Sequence, residues 1–234
     1  MAYQLVVMPF LKLNPILTRV AFPLFVKRQS DNAALRRGYL DLLRLIAFVI
    51  FPMVSGLAVV APLFVPLVLG DEWERTAGLI QILALLGMLK ALANPSGSIL
   101  LAKGRADIGF YFNATLVTVN TAVFLLIVPL GVEALALSYV IVSCCFFLVT
   151  WQILKRLIRI QWRDLTTLLP LLTATLIMVG AVGLFLALPI ATSQPDFITL
   201  IASIALGVMM YGMSSCLLMR PYLYDLWQLV RQRQ

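Results

Sequence analysis

Hydrophobic positions along this chain come in long runs, without strand-like alternation or helical spacing, and short polar clusters separate the runs. A helix that is apolar all round is surrounded by apolar material on every side, in a large core or in a membrane. About 20 predominantly apolar residues cross the hydrocarbon layer of a bilayer as a helix. Seven runs reach that length, at residues 3–27, 40–69, 76–102, 109–130, 132–154, 167–188 and 197–219. The pattern predicts an all-α integral membrane protein of about seven transmembrane helices. No long polar segment is left over for a soluble domain, and there is no evident internal repeat or low-complexity stretch.

Composition agrees. Of 234 residues, 62% are hydrophobic and 12% charged, with a mean hydropathy of +1.00. A soluble domain is about half apolar and a quarter charged.

Charge adds an orientation. The connection after the first run carries Lys27, Arg28, Arg36 and Arg37; that after the third, Lys103 and Arg105; that after the fifth, Lys155, Arg156, Arg159 and Arg163. The tail adds Arg220, Arg231 and Arg233. The intervening connections are acidic or nearly neutral, with Asp71, Glu72, Glu74 and Arg75, then Glu133, then Asp196. Basic and non-basic connections alternate throughout, which is the positive-inside pattern and predicts an N-out/C-in chain. The net charge of +8 follows from this topology and from attraction to anionic lipid headgroups. Membrane lipids are the expected partners, and nucleic acid is not. The first run starts almost at Met1 without a basic leader or a signal-like cleavage site, which is unusual for an N-out first span. The expectation is a piece of a longer protein lacking its earlier spans; a short N-out seven-helix protein is the alternative.

Conventional chemistry is sparse. There is no histidine, so Ser-His-Asp and Cys-His sites and histidine-based metal sites are excluded. Cys144, Cys145 and Cys216 fall within runs at spacings that suit no metal site, and read as small apolar filler. The carboxylates lie in connections or near span ends, Asp41 coming nearest a span interior. No enzyme, metal or cofactor is expected.

The informative residues are the polar ones inside the runs. Arg44 sits near an inner end and can snorkel to the interface. Lys12 and Arg19 are seven residues apart, about 700° of helical rotation, and so share one face. Lys90, in "LLGMLKALANPSGSIL", is mid-span. A lysine at mid-bilayer costs about 2.5–3.5 kcal/mol on insertion scales, so it usually faces a wet cavity or a partner. No carboxylate of this chain lies at matching depth. Asn14, Pro15 and Pro23 accompany the first two cations; Asn94, Pro95, Ser96, Gly97 and Ser98 follow Lys90 by one turn. Broken helices are tolerated in membranes where the backbone is buried in protein or lines water. The plain alternative is a proline kink with small residues packing helix on helix; the nearby cations favour a polar cavity. Residues 154–165 and 220–234 mix Arg with Trp, Tyr and Leu, as short elements lying at the inner membrane surface do.

The stretches "YQLVVMPFLKLNPILTRVAFPLFVKRQ", "APLFVPLVLGDEW" and "LLGMLKALANPSGSILLAKGRADIGFYFN" resemble, in order over Tyr3 to Asn113, the Wzx-type polysaccharide exporters. These are bacterial flippases of the multidrug/oligosaccharidyl-lipid/polysaccharide (MOP) superfamily, and the flavour is that of colanic-acid exporters. The later spans match in hydrophobicity and spacing alone. The resemblance implies that residues 1–154 correspond to second-lobe helices of a two-lobed transporter. Residues 155–234 would be two additional C-terminal helices and a basic cytoplasmic tail. It implies export of a polyprenyl-diphosphate-linked oligosaccharide across the bacterial inner membrane by alternating access, around a central cationic cavity. Lys12, Arg19 and Lys90 would then meet the diphosphate and acidic sugars, with Asn14, Asn94, Ser96 and Ser98 as polar lining. Pro15, Pro23, Pro95 and Gly97 would bend and gate the helices. The chain departs from the family in lacking the first lobe and the first helix of the second, so that missing part or a complementary chain is an expected partner, with polysaccharide-assembly proteins beyond it. Rival readings are a lipid II or drug exporter of the same superfamily, or an unrelated seven-helix protein. A membrane glycosyltransferase would need long outer loops or an acidic motif, and the sequence has neither.

Overall fold

The computed structural model describes residues 2–189 and 195–218, and within the first helix it leaves the side chains of residues 9, 10 and 12–20 undescribed. The order is α1 (Ala2–Lys27), α2 (Asn32–Leu69), α3 (Arg75–Ala93), α4 (Pro95–Ala102), α5 (Ala106–Ile127), α6 (Val132–Ile158), α7 (Leu169–Leu186) and α8 (Asp196–Leu218). Short 3₁₀ turns lie at Asp71–Trp73, Val128–Leu130 and Trp162–Leu168. No strand occurs among the described residues. Six spans there are long and apolar enough to cross a membrane, α3 and α4 counting together as one. Helix α1 occupies the first of the seven expected positions, residues 3–27. The chain is an all-α, multi-pass membrane protein.

Helix α2 organises the bundle. At 38 residues and 1.5 Å per residue it is about 57 Å long, well beyond the roughly 30 Å of a hydrocarbon core. It therefore begins eight residues before the apolar run at 40–69, in the basic connection. Asp31 caps it, its Oδ1 accepting from the backbone N–H of Ala33 at 2.9 Å and of Ala34 at 3.0 Å. Further along, Leu43, Ala47, Ile50, Val54, Ala61 and Val65 are buried against α1, α3 and α7.

Three prolines interrupt α2 at Pro52, Pro62 and Pro66. A proline has no N–H to give to the carbonyl four residues earlier, and in a membrane that carbonyl needs another donor. The Phe48 carbonyl, released by Pro52, accepts from the Tyr211 hydroxyl of α8 at 2.8 Å. The Ala58 carbonyl, released by Pro62, accepts from Gln81 Nε2 of α3 at 3.3 Å.

Close approach is demanded at Gly87 of α3. A Cβ there would stand 2.8 Å from Cγ1 of Val6 and 3.3 Å from Cγ1 of Val54, where α1, α2 and α3 meet. By contrast α5 has no buried residue, and Phe110, Tyr111, Leu125 and Leu126 face outward.

The basic connections gather at one end of the bundle. Lys103 Nζ, after α4, donates to the Gln29 carbonyl at 2.5 Å and to Asn32 Oδ1 at 2.6 Å. Arg36 of α2 pairs with Asp164 in the α6–α7 connection. Helix α6 runs four residues beyond the expected end at 154 and stops where Arg159 takes a left-handed conformation, φ 55°. Gln161 and Asp164 then form a capping box that starts the Trp162–Leu168 turn, and the Trp162 ring lies 5.6 Å from that of buried Trp151. The expected surface element at 154–165 is thus the end of α6 followed by this turn. The one expected at 220–234 lies outside the described residues.

Candidate functional site

Lys90 is in the last turn of α3, where the coming proline loosens the backbone. Pro95 opens α4, and Asn94 between the two helices keeps helical angles, φ −63° and ψ −42°. The Asn94 N–H donates to the Lys90 carbonyl at 3.1 Å, so the expected break is a local lapse in the ladder and not an unwound segment. Side chains serve the loosened carbonyls: Ser96 Oγ donates to Ala93 at 2.5 Å, and the buried Tyr39 hydroxyl lies 3.5 Å from the Leu92 oxygen. Space beside Gly97 is open, with nothing within 4 Å of a would-be Cβ.

The Lys90 ammonium is held by two phenols. Its Nζ donates to the Tyr139 hydroxyl of α6 at 2.7 Å and to the Tyr3 hydroxyl of α1 at 3.0 Å. It also lies 4.9 Å and 5.1 Å from the centroids of the same two rings, within range of cation–π attraction. Both contacts stabilise a cation and neither cancels its charge. The ion pairs among the described residues are Arg36–Asp164, Arg44–Asp41 and Arg105–Asp107, and Lys90 belongs to none of them.

Beside Lys90, α3, α5 and α6 enclose a cleft of about 80 Å³ lined among others by Tyr139, Ser143, Phe146 and Thr150. That is the space of two or three waters at about 30 Å³ each, enough for one small polar group. The α6 wall is a stripe, since positions 139, 143, 146 and 150 recur at helical spacing. On α5, Leu116 lines the cleft and Phe124 packs edge-on against Tyr139 at 5.4 Å. Asn120 lies between them, and its buried Oδ1 has no hydrogen-bond partner among the described residues. Ser96 borders a smaller pocket that shares Phe112 and Thr150 with this cleft.

Of the residues singled out from sequence, the structure thus puts Lys90 and Ser96 along one seam between α3–α4, α5 and α6. Ser98 is buried, Asn94 half-buried, and Pro23 exposed near the end of α1. The side chains of Lys12, Asn14, Pro15 and Arg19 lie outside the described residues, although their positions fall within α1. Sequence reasoning missed Tyr3, Tyr139, Ser143 and Asn120. The α6 stripe was a usable signal for two of these; the Tyr3 contact depends on how α1 docks and had none. No group of three or more metal-ligating side chains occurs among the described residues.

A second, larger groove of about 590 Å³ opens between α2, α7 and α8, with Pro52, Met53, Gly56, Met178, Gly207 and Tyr211 in its wall. It carries no charged side chain and suits the hydrocarbon part of a lipid.

Comparison with known proteins adds a relationship. The family model described as "Polysaccharide biosynthesis protein" matches residues 1–78. The teichuronic acid biosynthesis protein TuaB of Bacillus subtilis (strain 168) is 38% identical over 162 residues, 69% of this chain and 34% of that protein. The lipopolysaccharide biosynthesis protein WzxC of Escherichia coli (strain K12) is 46% identical over 113 residues, 48% of this chain and 23% of that protein. A membrane protein in the cps region of Klebsiella pneumoniae is 37% identical over 113 residues, again 48% of this chain and 23% of that protein. The matched stretches thus cover 34%, 23% and 23% of the length of these relatives. No solved structure matches it.

Proposed function

We propose that this chain, which is related to the Wzx-type polysaccharide exporters of the MOP superfamily, is part of a bacterial flippase. The flippase would carry a polyprenyl-diphosphate-linked oligosaccharide from the inner to the outer leaflet of the cytoplasmic membrane. The carrying observation is Lys90: a membrane-embedded cation beside a small cleft with Ser143 and Thr150 in its otherwise largely apolar wall, held by phenols and joined to no carboxylate among the described residues. A charge kept in that state suits a ligand that brings its own anion, and a lysine serves phosphate as a point charge. Lys12 and Arg19 would add to the same cationic path. Asn94, Ser96 and Asn120 would meet sugar hydroxyls, and the apolar groove beside α7 and α8 would suit the prenyl tail.

On this reading residues 1–154 belong to a second lobe and 155–234 add two helices and a basic tail, with N-out/C-in topology. The gathering of the basic connections at one end of the bundle supports that orientation. Alternating access needs two bundles moving against each other, so transport would require the portion by which the relatives exceed this chain, in the same polypeptide or another. The role proposed is transport without covalent chemistry.

Native mass spectrometry of the protein extracted gently from its own membranes tests this. A complex heavier than 25.9 kDa carrying a polyprenyl-diphosphate glycan, with the glycan lost in Lys90→Leu, is the expected result. A lone chain holding ordinary phospholipid would overturn it.

A further inference from the structure

We infer that Tyr3 and Tyr139 are ligand-binding residues, forming with Lys90 a three-residue site for a phosphate oxyanion. The inference rests on the cationic reading of Lys90 and goes beyond it by assigning the phenols a role toward the ligand.

An ammonium has three N–H donors. Two are directed at the phenol oxygens, at 2.7 Å and 3.0 Å, which leaves the third. A phenol that accepts a hydrogen bond keeps its own O–H to donate; here the two phenol hydroxyls also bond each other, and a phosphate oxygen would replace that mutual bond. Three side chains from three different helices therefore bring donors to one place, with a full positive charge between them. The phenol rings stand 6.1 Å apart, centroid to centroid, and lie together on one side of the Lys90 ammonium, so the charge is fixed before a ligand arrives. Such preorganisation lowers the entropic cost of binding.

Geometry argues for phosphate over carboxylate. Donors set off one plane around a point charge suit the non-bridging oxygens of a diphosphate, two set tetrahedrally on each phosphorus, whereas a carboxylate offers two oxygens in one plane. The adjoining cleft of about 80 Å³, with Lys90 and Tyr139 in its wall, is of phosphate size. Glycan would then extend from it along the seam past Ser96.

Were the phenols there only to seat Lys90, losing one hydroxyl would free an ammonium N–H and leave anion binding equal or stronger. If they bind the ligand, losing one weakens it. Tyr→Phe keeps the ring and its cation–π contact and removes only the O–H, so it separates the two cases.

The test uses the full 234-residue chain in phosphatidylcholine nanodiscs, which present no net anionic headgroup. Equilibrium binding of geranylgeranyl diphosphate, inorganic pyrophosphate and geranylgeraniol is measured for the parent, Y3F, Y139F, Y3F/Y139F, K90Q and K90R. Thermal unfolding of each variant reports folding, and K90R keeps the charge should K90Q unfold. The expected result is binding of the diphosphate and not of the alcohol, loss of that binding in K90Q, and about tenfold weakening in each single Phe variant, the size of one charge-assisted hydrogen bond. Binding of the prenyl diphosphate without pyrophosphate assigns the site to a lipid-borne headgroup; comparable binding of both assigns it to phosphate itself. Folded Phe variants that bind like the parent, with K90Q still defective, would overturn the role of the phenols and leave the cationic site standing. Unchanged binding in K90Q would overturn both.

Discussion

Tyr211 of α8 donates its hydroxyl to the carbonyl of Phe48 in α2 at 2.8 Å, and that carbonyl is the one Pro52 leaves without a helical partner. The bond ties the last described helix to the central one at one of the three prolines that interrupt it. The rings of the two residues also pack at 5.7 Å. Tyr211→Phe keeps the ring contact and strands the carbonyl. The expected cost is about 1 kcal/mol, within the range for membrane hydrogen bonds, read as an earlier midpoint in detergent unfolding. If Pro52→Ala is introduced first, α2 regains its own donor, and Tyr211→Phe should then cost much less. An equal loss in both backgrounds would show that the proline is not the reason for the bond.

Arg36 and Asp164 join the start of α2 to the α6–α7 connection. Asp164 also accepts from the Gln161 N–H at 2.7 Å, and its side chain is 10% exposed against 31% for Arg36. Removing the acid should therefore hurt more than removing the base, because it breaks the ion pair and opens the capping box. Asp164→Ala is expected to cost about 2 kcal/mol and Arg36→Ala about 1 kcal/mol. Asp164→Asn, which keeps an acceptor for Gln161, should fall between them. Unfolding midpoints of the three variants check the order.

Gly87→Ala places a methyl group 2.8 Å from Val6, a β-branched neighbour with little freedom to turn away. Helix α1 has to move, at a cost of about 1–3 kcal/mol for overpacking. Because α1 also carries Tyr3, the displacement reaches the Lys90 site three residues further along α3. Diphosphate affinity should fall together with thermal stability, and Val6→Ala should restore both. Restoration of stability without affinity would mean that α1 does not set the position of Tyr3.

Much of this architecture was legible in the sequence, and for identifiable reasons. Long apolar runs place the helices because burial in lipid leaves no polar face to obscure their length. Lys90 stood out because an unpaired cation at depth is costly. What the runs could not give was the helix ends: α2 begins at Asn32 through the Asp31 cap, and α6 continues to Ile158. Periodicity within an all-apolar run carries no facing information, so the meeting of Tyr3 with Tyr139 and the Gly87 crossing were invisible. The "NPSGS" segment left a helix break and a plain proline kink both open. Asn94 keeps helical angles, and the hydroxyls of Ser96 and Tyr39 approach the Ala93 and Leu92 carbonyls beside it.

Asp31 lies outside the membrane spans, and the N–H groups of Ala34 and Ala33, with Arg37 and Arg28 nearby, hold its carboxyl below the ordinary aspartate value of 3.8. A pKa lowered in the folded state contributes stability above the unfolded value, and that contribution disappears as pH falls through the folded one. The parent should therefore lose stability relative to Asp31→Asn as pH drops from about 4 downward, while the difference between them stays constant from pH 5 to 7. Parallel melting curves across the acid range would rule out a role for the charge at this cap.

Orientation can be settled by chemistry at two connections of opposite charge. The turn Asp71–Trp73 is exposed at Asp71, Glu72 and Trp73, and the α4–α5 connection is exposed at Gly104 and Arg105. In a background with Cys144, Cys145 and Cys216 replaced by alanine, Glu72→Cys and Arg105→Cys each give one reactive thiol in an aqueous loop. A membrane-impermeant maleimide added to spheroplasts should label position 72 at once and position 105 only after lysis. The asymmetry comes from Lys103 and Arg105 together with the Arg28, Arg36 and Arg37 cluster that Lys103 adjoins through Gln29 and Asn32. Cations near span ends hold a loop on the cytoplasmic side. Reversed labelling would place the basic end of the bundle outside and remove the N-out/C-in topology on which the inward-to-outward direction of export rests.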